Sequence, residues 1–124
     1  MRKYEVWTVK PVTDSSGDAI AKTPAVTGRL IACAYSKTDY ADTVDFTIKG
    51  NDTRQSLWIQ SNVTASVQLY PRQPTKSDLG VASLYAGSGE PVETPAALFD
   101  EQIEVVIAQG GDTKTGEFRF LVEI

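Results

Sequence analysis

A chain of 124 residues, 41% hydrophobic and 23% charged, has the size and composition of one soluble globular domain that needs no staples to hold its core. Sixteen acidic residues against twelve scattered basic ones make nucleic acid a poor partner, because phosphate binding needs a clustered positive surface. No apolar run approaches the ~20 residues that span a bilayer, and the N-terminus lacks a signal-peptide apolar segment, so neither a membrane role nor export is expected.

The dominant pattern along the chain is alternation with period two between turn-forming clusters, the mark of half-buried strands. Residues 4–12 predict the first strand. Asp14-Ser15-Ser16-Gly17-Asp18 reads as a turn, and residues 28–36 predict the second strand. Cys33, the sole cysteine, sits in the run Leu30-Ile31-Ala32-Cys33-Ala34-Tyr35. With no histidine in the chain to activate it, it is expected to be a small buried hydrophobe. Val44, Phe46 and Ile48 then alternate with Asp45, Thr47 and Lys49 until Gly50-Asn51-Asp52 turns the chain. Residues 55–60, around Leu57-Trp58-Ile59, are the expected hairpin partner, and residues 65–70 predict a further strand.

Residues 71–95 form the most informative irregular segment. Pro71 and Pro74 exclude a central strand near its start, because proline removes ladder donors. The rest is rich in Gly, Pro and Ser apart from Val81-Ala82-Ser83-Leu84-Tyr85-Ala86. So long a loop in a compact domain is commonly functional or ordered by a partner. Tyr70, Pro71, Arg72, Pro74, Val81, Leu84 and Tyr85 are therefore the candidate protein-interface residues. Residues 95–100 suggest one helical turn at most. Residues 102–108 and 117–124 predict two final strands, the latter with Phe118, Phe120, Val122 and Ile124 on one side, closed as a hairpin by residues 109–116. The fold expected is a single all-β domain, an antiparallel β-sandwich or jelly-roll-like barrel of about seven to eight short strands.

The residues offer little catalytic chemistry. Without histidine the usual general base and commonest metal ligand are missing, so no catalytic, metal or cofactor site is expected, and the chain is not expected to be an enzyme. Asp39, Asp42 and Asp45 do not have the spacing of a calcium loop and read as an Asp-rich turn. Gly110-Gly111-Asp112-Thr113-Lys114-Thr115-Gly116 precedes a strand, whereas a phosphate loop must open a helix. Trp7, Trp58, Tyr35, Tyr40, Tyr70 and Tyr85 leave open a sugar-stacking platform for host attachment, with core packing as the commoner use of strand aromatics.

Several stretches, in order, carry a family resemblance: Gly28-Arg29-Leu30-Ile31, Lys37 to Asp42 leading into Val44-Asp45-Phe46-Thr47-Ile48, Leu57-Trp58, Tyr70-Pro71-Arg72-Gln73-Pro74-Thr75, Gly80 to Ala86, and Val105 to Gly116. Together they resemble small virion proteins encoded among the head and tail genes of tailed bacteriophages and prophages. The resemblance implies a structural component of the particle: a capsid decoration (cement) protein stabilising the head, or alternatively a neck, collar or tail subunit. It also implies the major capsid protein or other virion proteins as partners, together with copies of the chain itself in a homo-oligomer. The site of action would be the virion, assembled in the bacterial host cytoplasm. The resemblance brings no catalytic residues.

Overall fold

In the computed structural model, residues 3–74 and 93–124 are described, and the alternation read from the sequence becomes two antiparallel sheets. The strands are Tyr4–Val9 (β1), Ala19–Lys22 (β2), Val26–Ser36 (β3), Asp45–Gly50 (β4), Ser56–Gln60 (β5), Val67–Leu69 (β6), Arg72–Pro74 (β7), Glu93–Glu101 (β8), Ile103–Ala108 (β9) and Glu117–Glu123 (β10). The larger, six-stranded sheet runs β1-β10-β3-β8-β7, with β6 beside the C-terminal half of β3. The smaller sheet runs β2-β9-β4-β5.

The inner faces of the two sheets close on one another. Phe118, Phe120 and Val122 of β10 with Leu30, Cys33 and Tyr35 of β3 meet Phe46 and Ile48 of β4 and Ile103, Val105 and Ile107 of β9, all buried. Phe46 anchors the contact, its ring 4.7 Å from Tyr35 and 4.8 Å from Phe118, both edge-on, the preferred geometry for aromatic pairs. Trp58 joins at 5.4 Å from Phe46. The expected all-β sandwich is thus the fold, and β4 pairs with β5 as the expected hairpin. Ile124 alone departs from its predicted row, lying exposed past the end of β10.

Four expectations need correction. Ten strands form among the described residues, against the about seven to eight expected: β2 and β7 carry too few residues to show alternation, and β8 is the third addition. Residues 95–100 are part of β8 and not a helical turn; ladders to β3 and β7 override a local preference for helix. The segment 71–95 is strand at both ends, where Arg72, Gln73 and Pro74 pair with Pro95, Thr94 and Glu93. Pro74 respects the rule that excluded a central strand, since among the described residues β7 is an edge, and Pro95 lies in β8 beyond the last residue that pairs with β3.

The fourth correction matters most. β9 and β10 do not form a hairpin: β9 pairs with β2 and β4, and β10 with β1 and β3. Residues 109–116 carry the chain from one sheet to the other. Hydrogen bonds from two other loops hold this crossing: Gly110 N–H donates to Gly17 O at 2.9 Å, Ala41 N–H to Gly110 O at 3.0 Å, and Thr115 N–H to the Asp39 carboxylate at 2.7 Å. Thr13, buried, donates its hydroxyl to Gly111 O at 2.6 Å and accepts from Lys114 N–H at 2.8 Å.

Candidate interaction surface

Four of the seven candidate interface residues lie among the described residues, along the β6–β7 side of the larger sheet. Tyr70 is exposed and its hydroxyl accepts from Gln68 Nε2 at 2.9 Å. Pro71 is buried, Arg72 is exposed, and Pro74 closes β7. Val81, Leu84 and Tyr85 lie outside the described residues.

The structure adds a surface that the sequence did not reveal. On the outer face of the larger sheet the register aligns Val6 of β1, Leu121 of β10 and Ala32 of β3 in one cross-strand row. The adjacent row is Thr8, Arg119, Ala34 and Gln68. The alanines give β3 a low floor between taller neighbours, and the result is a shallow depression of about 220 Å³. A second depression, about 280 Å³, shares Ala34, Gln68 and Arg119 with the first and extends it towards Ser36 and Ser66. Val6 is 59% exposed at the edge. Among the described residues Arg119 is the only charged side chain on either lining; its Nε lies 3.7 Å from Glu117 Oε1. Such a groove offers apolar packing and one cationic donor to a visiting side chain.

The other candidate constellations resolve into structure. Asp39 accepts from Thr115 N–H, Asp45 from Asn62 N–H at 3.0 Å, and Asp42 pairs with Lys37 Nζ at 2.7 Å. Asp39 and Asp45 therefore accept from the backbone of neighbouring segments, and Asp42 from a lysine side chain. No group of three acidic or sulfur ligands suited to a metal occurs among the described residues. Trp58, Tyr35 and Tyr40 are buried and Trp7 packs half-buried against the core, which counts against a sugar-stacking platform on these rings. Tyr40 donates its hydroxyl to Pro11 O at 2.6 Å, and burial pushes its phenol up. Tyr35 is pushed up to about 12 by burial, with smaller contributions from Asp39 and Asp42. Cys33 is buried as expected and its thiol is pushed up to about 12 by that burial.

One buried charge went unread in the sequence. Glu101, 1% exposed, accepts from Asp52 N–H at 3.1 Å, Thr53 N–H at 3.0 Å, the Thr53 hydroxyl at 3.1 Å and Phe99 N–H at 3.3 Å. Burial acts to raise its pKa, but the hydrogen bonds from Thr53, Phe99 and Asp52 outweigh it and hold the carboxyl below its ordinary value. Gly50 leaves room for this carboxylate, since a side chain there would collide with Glu101 Oε1. The role is structural: Glu101 clamps the β4–β5 turn to the end of β8.

No family model matches the chain, and no curated protein matches it.

Proposed function

We propose that this chain is a structural protein of a tailed-phage particle, a capsid decoration protein that stabilises the head shell by bridging capsomers. The observation that carries the reading is the outer face of the larger sheet. There the sandwich presents a shallow apolar groove with Arg119 at its side, a shape suited to docking on another protein. The ordered stretches that resemble small phage virion proteins supply the context, with the major capsid protein as the partner of first choice. Tyr70 and Arg72, exposed on the same side of the sandwich, belong to the docking region under this reading.

Cryo-electron microscopy of particles made by the phage or prophage that encodes the chain tests the proposal. Symmetric copies over the shell, with the Val6–Leu121 face against a capsomer, are expected. Density confined to one vertex or to the tail would replace decoration by a neck or tail role. Particles without the chain would overturn the virion reading. Val6→Glu, at a position the fold leaves exposed, is expected to remove the chain from the shell without unfolding it.

A further inference from the structure

The outer face of the smaller sheet is ordered by charge. Its central row, read from the ladder register, is Ile20, Val106, Thr47 and Ile59, one residue from each of the four strands. Ile20 is 68% exposed and Ile59 59%, at the two ends of the row. Two residues along each strand to one side stand Lys22, Glu104 and Lys49, with Arg54 reaching Glu104 at 3.3 Å and Lys22 at 3.9 Å from it. This row holds three cations against one carboxylate. Two residues to the other side stand Ala108 and Asp45, and Asp18 precedes β2 two positions before Ile20. The face therefore runs from basic through apolar to acidic.

The gradient repeats along two strands. Asp18-Ala19-Ile20-Ala21-Lys22 and Asp45-Phe46-Thr47-Ile48-Lys49 share the same spacing, and β2 and β4 run in the same direction because both are antiparallel to β9. A two-fold axis along the central row maps each Lys position onto the Asp position of the same strand in a second copy. Lys22 of one copy then faces Asp18 of the other, Lys49 faces Asp45, and Ile20 and Ile59 each meet their own equivalents. The alternative two-fold, along the strands, would set the basic row on itself. The first axis also keeps the strands of the two copies aligned, the usual way twisted sheets stack.

We infer that this face is a self-complementary dimer interface, its occupant a second copy of the chain. Charge complementarity selects that occupant: the face carries both members of each ion pair in mirror order. Four strands and three rows give a footprint of about 400 Å² per copy, about 800 Å² in total, which is below the ~1,200 Å² at which specific interfaces become stable. The dimer is thus weak in dilute solution and favoured where copies are held close together. The inference uses the sheet opposite the groove, so it stands apart from the virion reading.

Sedimentation velocity of the full chain, from about 10 μM to 1 mM, tests it. A reversible monomer–dimer equilibrium that weakens with added salt is expected. Ile20→Asp and Ile59→Asp, both at exposed positions, should each weaken it by about tenfold or more. Lys22→Asp alone should weaken it by about tenfold, since each contact occurs twice and becomes repulsive. Asp18→Lys combined with Lys22→Asp should restore it, because the pair is re-formed between copies while the ion pair to Glu104 stays lost in both variants. Circular dichroism keeps folding under control in each case. A monomer throughout the range, a dimer indifferent to Ile20 and Ile59, or equal affinities for the single and double charge variants would overturn the inference.

Discussion

Replacing Glu101 by Gln leaves the volume almost unchanged and removes only the charge and one acceptor. Oε1 serves Asp52 N–H and Thr53 N–H, and Oε2 takes Phe99 N–H at 3.3 Å and shares the Thr53 hydroxyl at 3.1 Å. The glutamine oxygen can keep the two turn amides, which puts its NH₂ against the Phe99 N–H, donor to donor. One charge-assisted bond is lost and one buried donor is stranded, together costing about 2–3 kcal/mol at neutral pH. For a domain of this size that is a fall in Tm of roughly 8–12 °C.

The pH dependence separates this account from a general packing defect. The folded pKa of Glu101 is held below its ordinary value of about 4.5. Its carboxylate therefore contributes stability above the unfolded pKa, and that contribution fades as pH falls through the folded one. Thermal or urea melts of wild type and Glu101→Gln at pH 7 should differ by the amount above, and by progressively less as pH drops below about 4. Equal stabilities at pH 7, or a gap that persists unchanged into strong acid, would refute the role of the charge.

Three further outcomes follow from single residues. Gly28 has φ +146° and a Cβ there would overlap Glu123 O, so Gly28→Ala should lower stability by about 3 kcal/mol or more in urea melts. Thr113 is β-branched at φ 53° in the sheet-crossing loop; Thr113→Asn should raise Tm by about 2–4 °C, and a fall would show that its bond to Asp112 outweighs the strain. The Cys33 thiol should resist Ellman's reagent at pH 8 in the native protein and react fully in denaturant; rapid labelling of the folded chain would contradict its buried, protonated state.

The core was legible because alternation reports directly on burial. Val44, Phe46, Ile48, Phe118, Phe120 and Val122 were assigned from period two alone and all are buried. The two outer-face surfaces proposed for docking were not legible, since they arise from register between strands far apart in sequence. Val6, Ala32 and Leu121 meet only once β1 and β3 flank β10, and Ile20 reaches Ile59 only across β9 and β4. Glu101 went unread for a related reason: its partners at Asp52 and Thr53 lie some fifty positions away, and an acidic residue ending a strand carries no local mark of burial.

The failure at residues 109–116 shows where alternation stops being informative. A hairpin between β9 and β10 would bury Val105, Ile107, Phe118 and Phe120 on one face of one sheet. The crossing that forms buries the same four residues, on two sheets whose inner faces oppose. Both arrangements satisfy the same hydrophobic pattern, so only the connection can decide between them. This connection places Gln109, Gly111 and Thr113 in left-handed conformations and ties itself to Thr13, Gly17, Asp39 and Ala41. A tight hairpin turn would carry its own i→i+3 bonds; this loop draws its bonds from segments about a hundred residues and about seventy residues earlier. The glycines announce a turn, but the direction of the turn is written in Thr13 and Asp39, residues whose meaning appears only when the other two loops are already in place.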